Sequence, residues 1–161
     1  MGMKRRSREI QRTNERLIHV GHKLLMVACT EADRWFVDRA LAAGLDVRLL
    51  VCFEDVQHKL RAWYPDRVLV VSAHKASVTE AVRAEAFDAA LVCELGDPIR
   101  TALVVQALRD ASVPRVMVIS RQSARAPLYL RSGAHDVLCA DDRDHLWAAF
   151  VNGMSVQEPA S

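Results

Sequence analysis

Six short apolar runs constrain this chain more than any other feature. They are Leu24–Ala28, Val47–Val51, Val68–Ser72, Ala89–Cys93, Val116–Ser120 and Asp136–Cys139. Val, Leu, Ile and Ala fill them almost without interruption, as in strands buried on both faces of a parallel sheet. Between them run stretches with helical periodicity. A strand–helix–strand unit of this length demands parallel strands joined by right-handed crossovers. The pattern therefore predicts an α/β fold with a doubly wound parallel sheet of six strands in the order 3-2-1-4-5-6.

The helices announce their ends. Glu31–Ala43 places Trp35, Phe36, Val37, Ala40 and Leu41 on one broad face, and Gly44 stops it. Glu54–Tyr64 ends before Pro65, because proline disfavours helix at the residue ahead of it. Ser77 is read as the cap of Val78–Glu85, with Glu80 completing a capping box. Asp97 caps a helix opened by Pro98 and running to about Asp110. Ala124–Ser132 ends at Gly133, and a last helix spans about Arg143–Asn152.

Charge divides the chain. Residues 1–23 carry seven basic side chains against Glu9 and Glu15, a net of +5 within an overall +2, which leaves −3 for residues 24–161. The division expected is a basic N-terminal arm or helix at 1–22, a domain at 23–153 and a flexible tail at 154–161. Such an arm suits an acidic partner. A nucleic-acid role is disfavoured because no aromatic residues interleave with its basic ones. The basic start leads into no apolar h-region and no run reaches a membrane span, so a cytoplasmic domain is expected. Four cysteines without paired spacing agree with reduced thiols.

Two stretches carry a resemblance. "VLVVSAHKASVTEAVRAEAFDAALVC" packs strand, short helix and strand closely, and "VPRVMVISRQSARAPLYLRSGAHDVLCADD" ends its helix in Gly133-Ala134-His135-Asp136. Both resemble the N-terminal nucleotide-binding domain of TrkA-type proteins, the RCK domain that regulates potassium conductance. The likeness covers about residues 22–142. It implies a Rossmann-like fold, a non-catalytic regulatory role in potassium transport, a membrane transport protein as partner, and a homodimer formed through helix faces, with Trp147 and Phe150 as an apolar patch. A second stretch, "FDAALVCELGD…VPRVMVIS…SGAHDVL", resembles the back half of a bacterial receiver domain. There Cys93 stands where the phosphorylated aspartate would be, and Ala140 stands near the lysine. That likeness implies a pseudo-receiver that scaffolds proteins, binds no nucleotide and transfers no phosphoryl group.

The loop that follows the first strand departs from the TrkA-type pattern. The three glycines of Gly-x-Gly-x-x-Gly fall on Ala28, Thr30 and Asp33. Those glycines let the backbone approach a pyrophosphate held at a helix N-terminus. Glu31 and Asp33 place carboxylates there instead. The ribose-binding acid falls near Val51, with Glu54 its nearest replacement. No cofactor is therefore expected, although an unknown nucleotide stays open. The crevice residues expected from strand ends are Cys29, Thr30, Glu54, Ala73, Glu94 and Arg121.

No metal site is expected. The alternative gathers Cys29, Cys52 and Cys93 at neighbouring strand ends with His74 nearby, since thiolates and imidazole suit soft metals. Ser72 and Ser120 also end strands, but neither sits in a Gly-x-Ser-x-Gly elbow, and both are read as hydroxyls satisfying backbone. No His stands beside a nucleophile. The chain is not expected to be an enzyme.

Overall fold

The computed structural model describes residues 22–27, 29–51, 54–71, 75–94 and 96–155. The basic arm at residues 1–21 lies outside the described residues, as do Ala28, Cys52, Ser72, Ala73, His74 and residues 156–161.

Six strands form one all-parallel sheet: β1 (Lys23–Val27), β2 (Asp46–Val51), β3 (Val68–Val70), β4 (Ala89–Cys93), β5 (Val116–Ile119) and β6 (Asp136–Leu138). Their spatial order is β3-β2-β1-β4-β5-β6, as the alternating pattern demanded. The helices are α1 (Arg34–Ala42), α2 (Glu54–Trp63), α3 (Lys75–Glu85), α4 (Pro98–Asp110), α5 (Ala126–Ser132) and α6 (Arg143–Ser155). Short 3-10 turns, Glu31–Asp33 and Ser123–Arg125, lead into α1 and α5.

Two apolar layers sandwich the sheet. On one face Phe36, Val37 and Ala40 of α1, Leu60 of α2, and Trp147, Phe150 and Val151 of α6 cover Leu24, Met26, Leu49 and Leu91. On the other, Val78 and Val82 of α3, Val105 and Leu108 of α4, and Tyr129 of α5 cover Leu25, Val27, Val92 and Val118. Successive strand residues face opposite sides, so both faces need apolar residues. The continuous apolarity of the runs follows from that.

Several sequence expectations need correction. Trp147 and Phe150 are not a surface patch. Both are fully buried, and with Phe36 they form an aromatic trio with ring centroids 5.0–5.3 Å apart. α3 opens at Lys75, so Ser77 lies within its first turn rather than capping it. α6 does not stop near Asn152 but passes through buried Gly153 to Ser155. Gly153 is there for closeness: a Cβ on it would lie 2.7 Å from Met117 Sδ on β5. Two caps are as read. Asp97 accepts the Ile99 N–H at 2.9 Å ahead of Pro98, and Gly133 ends α5 with φ of 119°.

Candidate functional site

In open α/β sheets ligands sit outside the carboxyl ends of the strands, where strand order reverses. Here the reversal falls between β1 and β4, which pair with Val27 opposite Val92. Cys93 ends β4 and Glu94 follows it. Because neighbours alternate across the sheet, Cys93 turns toward the α1 layer and Glu94 toward the α5 layer. The crest therefore has two halves.

On the α1 side, the Cys29 and Cys93 sulfurs lie 3.7 Å apart, and both residues are buried. The hydrogen bond to Cys29 and then burial push the Cys93 thiol well above its ordinary range, with the Asp33 carboxylate adding to the effect. Cys93 is therefore a neutral thiol. Above the pair lies the loop where the glycines were missing. Asp33 folds back so that its Oδ2 accepts the Thr30 N–H at 2.8 Å and the Thr30 hydroxyl at 3.2 Å. The Asp33 N–H in turn donates to the Thr30 carbonyl at 3.0 Å. An aspartate in this place does for the backbone what an anion does at a glycine-rich turn.

On the α5 side, the Glu94 side chain is only 6% exposed. Its Oε2 accepts from Tyr129 Oη at 2.5 Å and from Ser120 Oγ at 2.8 Å. Its Oε1 accepts the Arg121 N–H at 3.3 Å and pairs with Arg125 Nη1 at 3.1 Å. A carboxylate has about four lone-pair sites, and four donors fill them. Burial pushes the Glu94 carboxyl up, but the bonds from Tyr129, Ser120, Arg121 and Arg125 outweigh it and hold the group below its usual range. Burial first, and the Glu94 carboxylate second, raise the Tyr129 hydroxyl to about 12. Ser120 also accepts the Gln122 N–H at 3.2 Å, the backbone role read for it.

Of the residues singled out from sequence, the structure brings Cys29 and Cys93 together and seats Thr30 beside them. Glu94 joins the second half of the crest. Arg121 meets Glu94 through its backbone, and its side chain is exposed. Glu54 opens α2, and its side chain lies outside the described residues, as do Cys52, Ala73 and His74. Among the described residues no group of three or more His, Cys, Asp or Glu is gathered as metal ligands would be. Sequence reasoning missed Tyr129 and Arg125. The usable signal was register: Ile119 pairs with Cys93, which sets Ser120 level with Glu94 and brings the β5–α5 connection above it.

An open cleft of about 330 Å³ lies by the amino ends of β2 and β3, lined by Asp46, Arg48, Trp63, Tyr64, Pro65, Asp66 and Arg67. Its arginines are engaged within the fold. Arg48 grips both oxygens of Glu85, and Arg67 reaches Asp46 and the Val47 carbonyl.

No known family model matches the chain, and no curated protein matches it. Solved structures do resemble it. The NAD(P)-binding domain of an exopolyphosphatase-related protein from Archaeoglobus fulgidus has a TM-score of 0.60 at 16% identity, over 84% of this chain and 99% of that one. The TrkA-N domain of the inner membrane protein ybaL from Escherichia coli has 0.57 at 13%, over 84% and 97%. A putative response regulator from Chloroflexus aurantiacus has 0.55 at 15%, over 84% and 98%. The fold is Rossmann-like. At these identities the likeness concerns architecture alone. Among the described residues no helix is long and apolar enough to cross a membrane.

Proposed function

We propose that this chain is a non-catalytic regulatory domain whose dinucleotide crevice is closed from within, and which acts through contacts with a partner protein. One observation carries the reading: the Asp33 carboxylate occupies the Thr30 N–H that a phosphate would need. A pyrophosphate arriving there meets a carboxylate already bound and a second one, Glu31, exposed in the same turn. Like charges about 5 Å apart oppose each other by about 3 kcal/mol at an effective dielectric near 20. Glu94, the other acid on the crest, has no acceptor site left for a ribose hydroxyl.

A TrkA-type domain with such a crest keeps its place as a cytoplasmic regulatory subunit, with a membrane transport protein as its partner and a second copy of itself as its dimer mate. A pseudo-receiver scaffold is the second reading. Cys93 favours it, because a thiol rather than a carboxylate ends β4.

Calorimetric titration with NAD, NADH, ATP and ADP tests the closed crest. The native chain is expected to give no heat of binding up to millimolar ligand. Glu31→Gly combined with Asp33→Gly is expected to create measurable binding. Micromolar affinity in the native chain overturns the reading. Light scattering checks the dimer: particles of only 18.0 kDa at high concentration remove it.

A further inference from the structure

Cys29 and Cys93 are 64 residues apart in sequence, yet their sulfurs are 3.7 Å apart. A disulfide requires about 2.04 Å, so the two atoms need approach by roughly 1.7 Å. The backbones are already set for it. β1 and β4 are paired neighbours up to Val27 and Val92. Carried onward, that register sets Cys29 one residue beyond the position opposite Cys93, a diagonal of about 6 Å across strands about 4.8 Å apart, within the Cα separation of about 4.4–6.8 Å that disulfides span. Cys29 sits on the coil just beyond β1, outside the sheet's hydrogen-bond ladder. Cys93 is the fixed last residue of a central strand.

We propose that Cys29 and Cys93 are a two-thiol redox site, forming a reversible disulfide that fastens the 29–33 loop to β4. The oxidant is hydrogen peroxide. Cys29 gives up its proton and its sulfur attacks one peroxide oxygen. The O–O bond breaks, water leaves, and Cys29 becomes a sulfenic acid. The Cys93 sulfur then attacks that sulfur. The S–S bond forms, the S–O bond breaks, and a second water carries off the Cys93 proton. The thiol pair loses two electrons and the peroxide gains them. Cys93 is a neutral thiol at rest, so it must shed its proton as it attacks, which slows this step but does not prevent it.

Burial sets the rate. Both cysteines are at most 4% exposed, so peroxide reaches them only when the Thr30–Asp33 turn opens. Oxidation is therefore slow and selective, unlike that of exposed Cys139. This inference is independent of the partner-binding reading, since it concerns thiols rather than nucleotide or protein ligands.

The whole folded chain is incubated with hydrogen peroxide, quenched with N-ethylmaleimide, digested and analysed by mass spectrometry. The dominant crosslink is expected to join the Cys29 and Cys93 peptides, to persist in Cys139→Ser, and to vanish with dithiothreitol. It is expected to appear at least tenfold more slowly than Cys139 oxidises. Either of two results overturns the proposal. One is Cys29 and Cys93 still recovered as alkylated thiols, or as unlinked sulfinic acids, after incubation for about a thousand half-lives of Cys139 oxidation. The other is a dominant crosslink to Cys52 or Cys139.

Discussion

Replacing Glu94 with glutamine tests the crest directly. The amide is isosteric with the carboxylate but carries one acceptor oxygen and one donor nitrogen. Each Glu94 oxygen meets two donors: Tyr129 and Ser120 on one side, the Arg121 N–H and Arg125 on the other. Turned toward the Arg121 N–H and Arg125, its NH₂ faces two donors that cannot accept; turned toward Tyr129 and Ser120, it faces hydroxyls that accept only in place of the bonds they donated to Glu94. Hydrogen bonds to a charged acceptor contribute about 1.5–3 kcal/mol against about 0.5–1.5 for neutral pairs. Tyr129 is buried and loses its charged acceptor, whereas Ser120, also buried, can turn to the Gln122 carbonyl at 3.0 Å. Arg125 is 29% exposed and rehydrates readily, so its share is small. Glu94→Gln is therefore expected to cost about 3 kcal/mol, Tyr129→Phe about 1.5 and Arg125→Met about 1 or less. Urea unfolding with unchanged m-values measures each. A Glu94→Gln cost under about 0.5 kcal/mol, or a larger cost at Arg125 than at Glu94, refutes the reasoning. Acid unfolding supplies a second check. A carboxyl held low in the folded state stabilises above its unfolded pKa of about 4.3, and that contribution disappears as pH falls through the folded value. Glu94→Gln should flatten the acid limb of the stability curve.

Other predictions follow from the same contacts. Titration at 295 nm should show Tyr129 ionising only near pH 12. Because the unfolded tyrosine loses its proton near pH 10, the stability it gives is complete below that value and declines above it; a normal titration at pH 10 in folded protein contradicts this. Gly153→Ala gains about 1 kcal/mol of helix propensity but drives a Cβ against buried Met117, for a net loss of about 1 kcal/mol by thermal unfolding. Met117→Val should relieve that loss in a double-mutant cycle. Arg48→Lys gives up the two-pronged grip on Glu85 and the bond to the Asp66 carbonyl, and should cost about 1 kcal/mol in urea unfolding. No change on that substitution means the grip is idle.

The architecture was legible because it is written in period and continuity. Six apolar runs gave six strands, and the crossover rule left one sensible order. Local punctuation was legible where one residue type has one use, as at Asp97-Pro98 and Gly133. It misled where two uses compete. The last helix reads as ending near Asn152, just ahead of Gly153, yet Gly153 lies inside α6, where Met117 leaves no room for a Cβ. Trp147 and Phe150 were assigned to an interface, although a helix at the end of the chain can equally close the core. The crest was half legible. Strand-end position picked out Cys29, Thr30, Glu94 and Arg121, but it could not reveal that Glu94 is claimed by Tyr129, 35 residues on. Such pairings arise from the sheet register and the approach of α5, not from any local motif.

The edge strand explains why two families with different chemistry both resemble this chain. Removing β3 leaves the order β2-β1-β4-β5-β6, which is the arrangement of a five-stranded flavodoxin-like sheet renumbered. β3 is three residues long, pairs only with β2, and leaves Val70 43% exposed. The feature that separates the two architectures is thus their least buried strand, and most of the core is common to both. Architecture therefore cannot decide between their functions; the groups on the crest must. A dinucleotide domain needs free N–H groups beyond β1, and Asp33 has taken the Thr30 N–H. A phosphoryl-accepting receiver needs a solvated carboxylate at the end of β4, and the residue there is a buried thiol. In the proposed reading each chemistry is opposed by a specific side chain, and those side chains are themselves well bonded. A crest so completely satisfied needs no ligand to hold its shape, which is what the proposed partner-binding role requires of it.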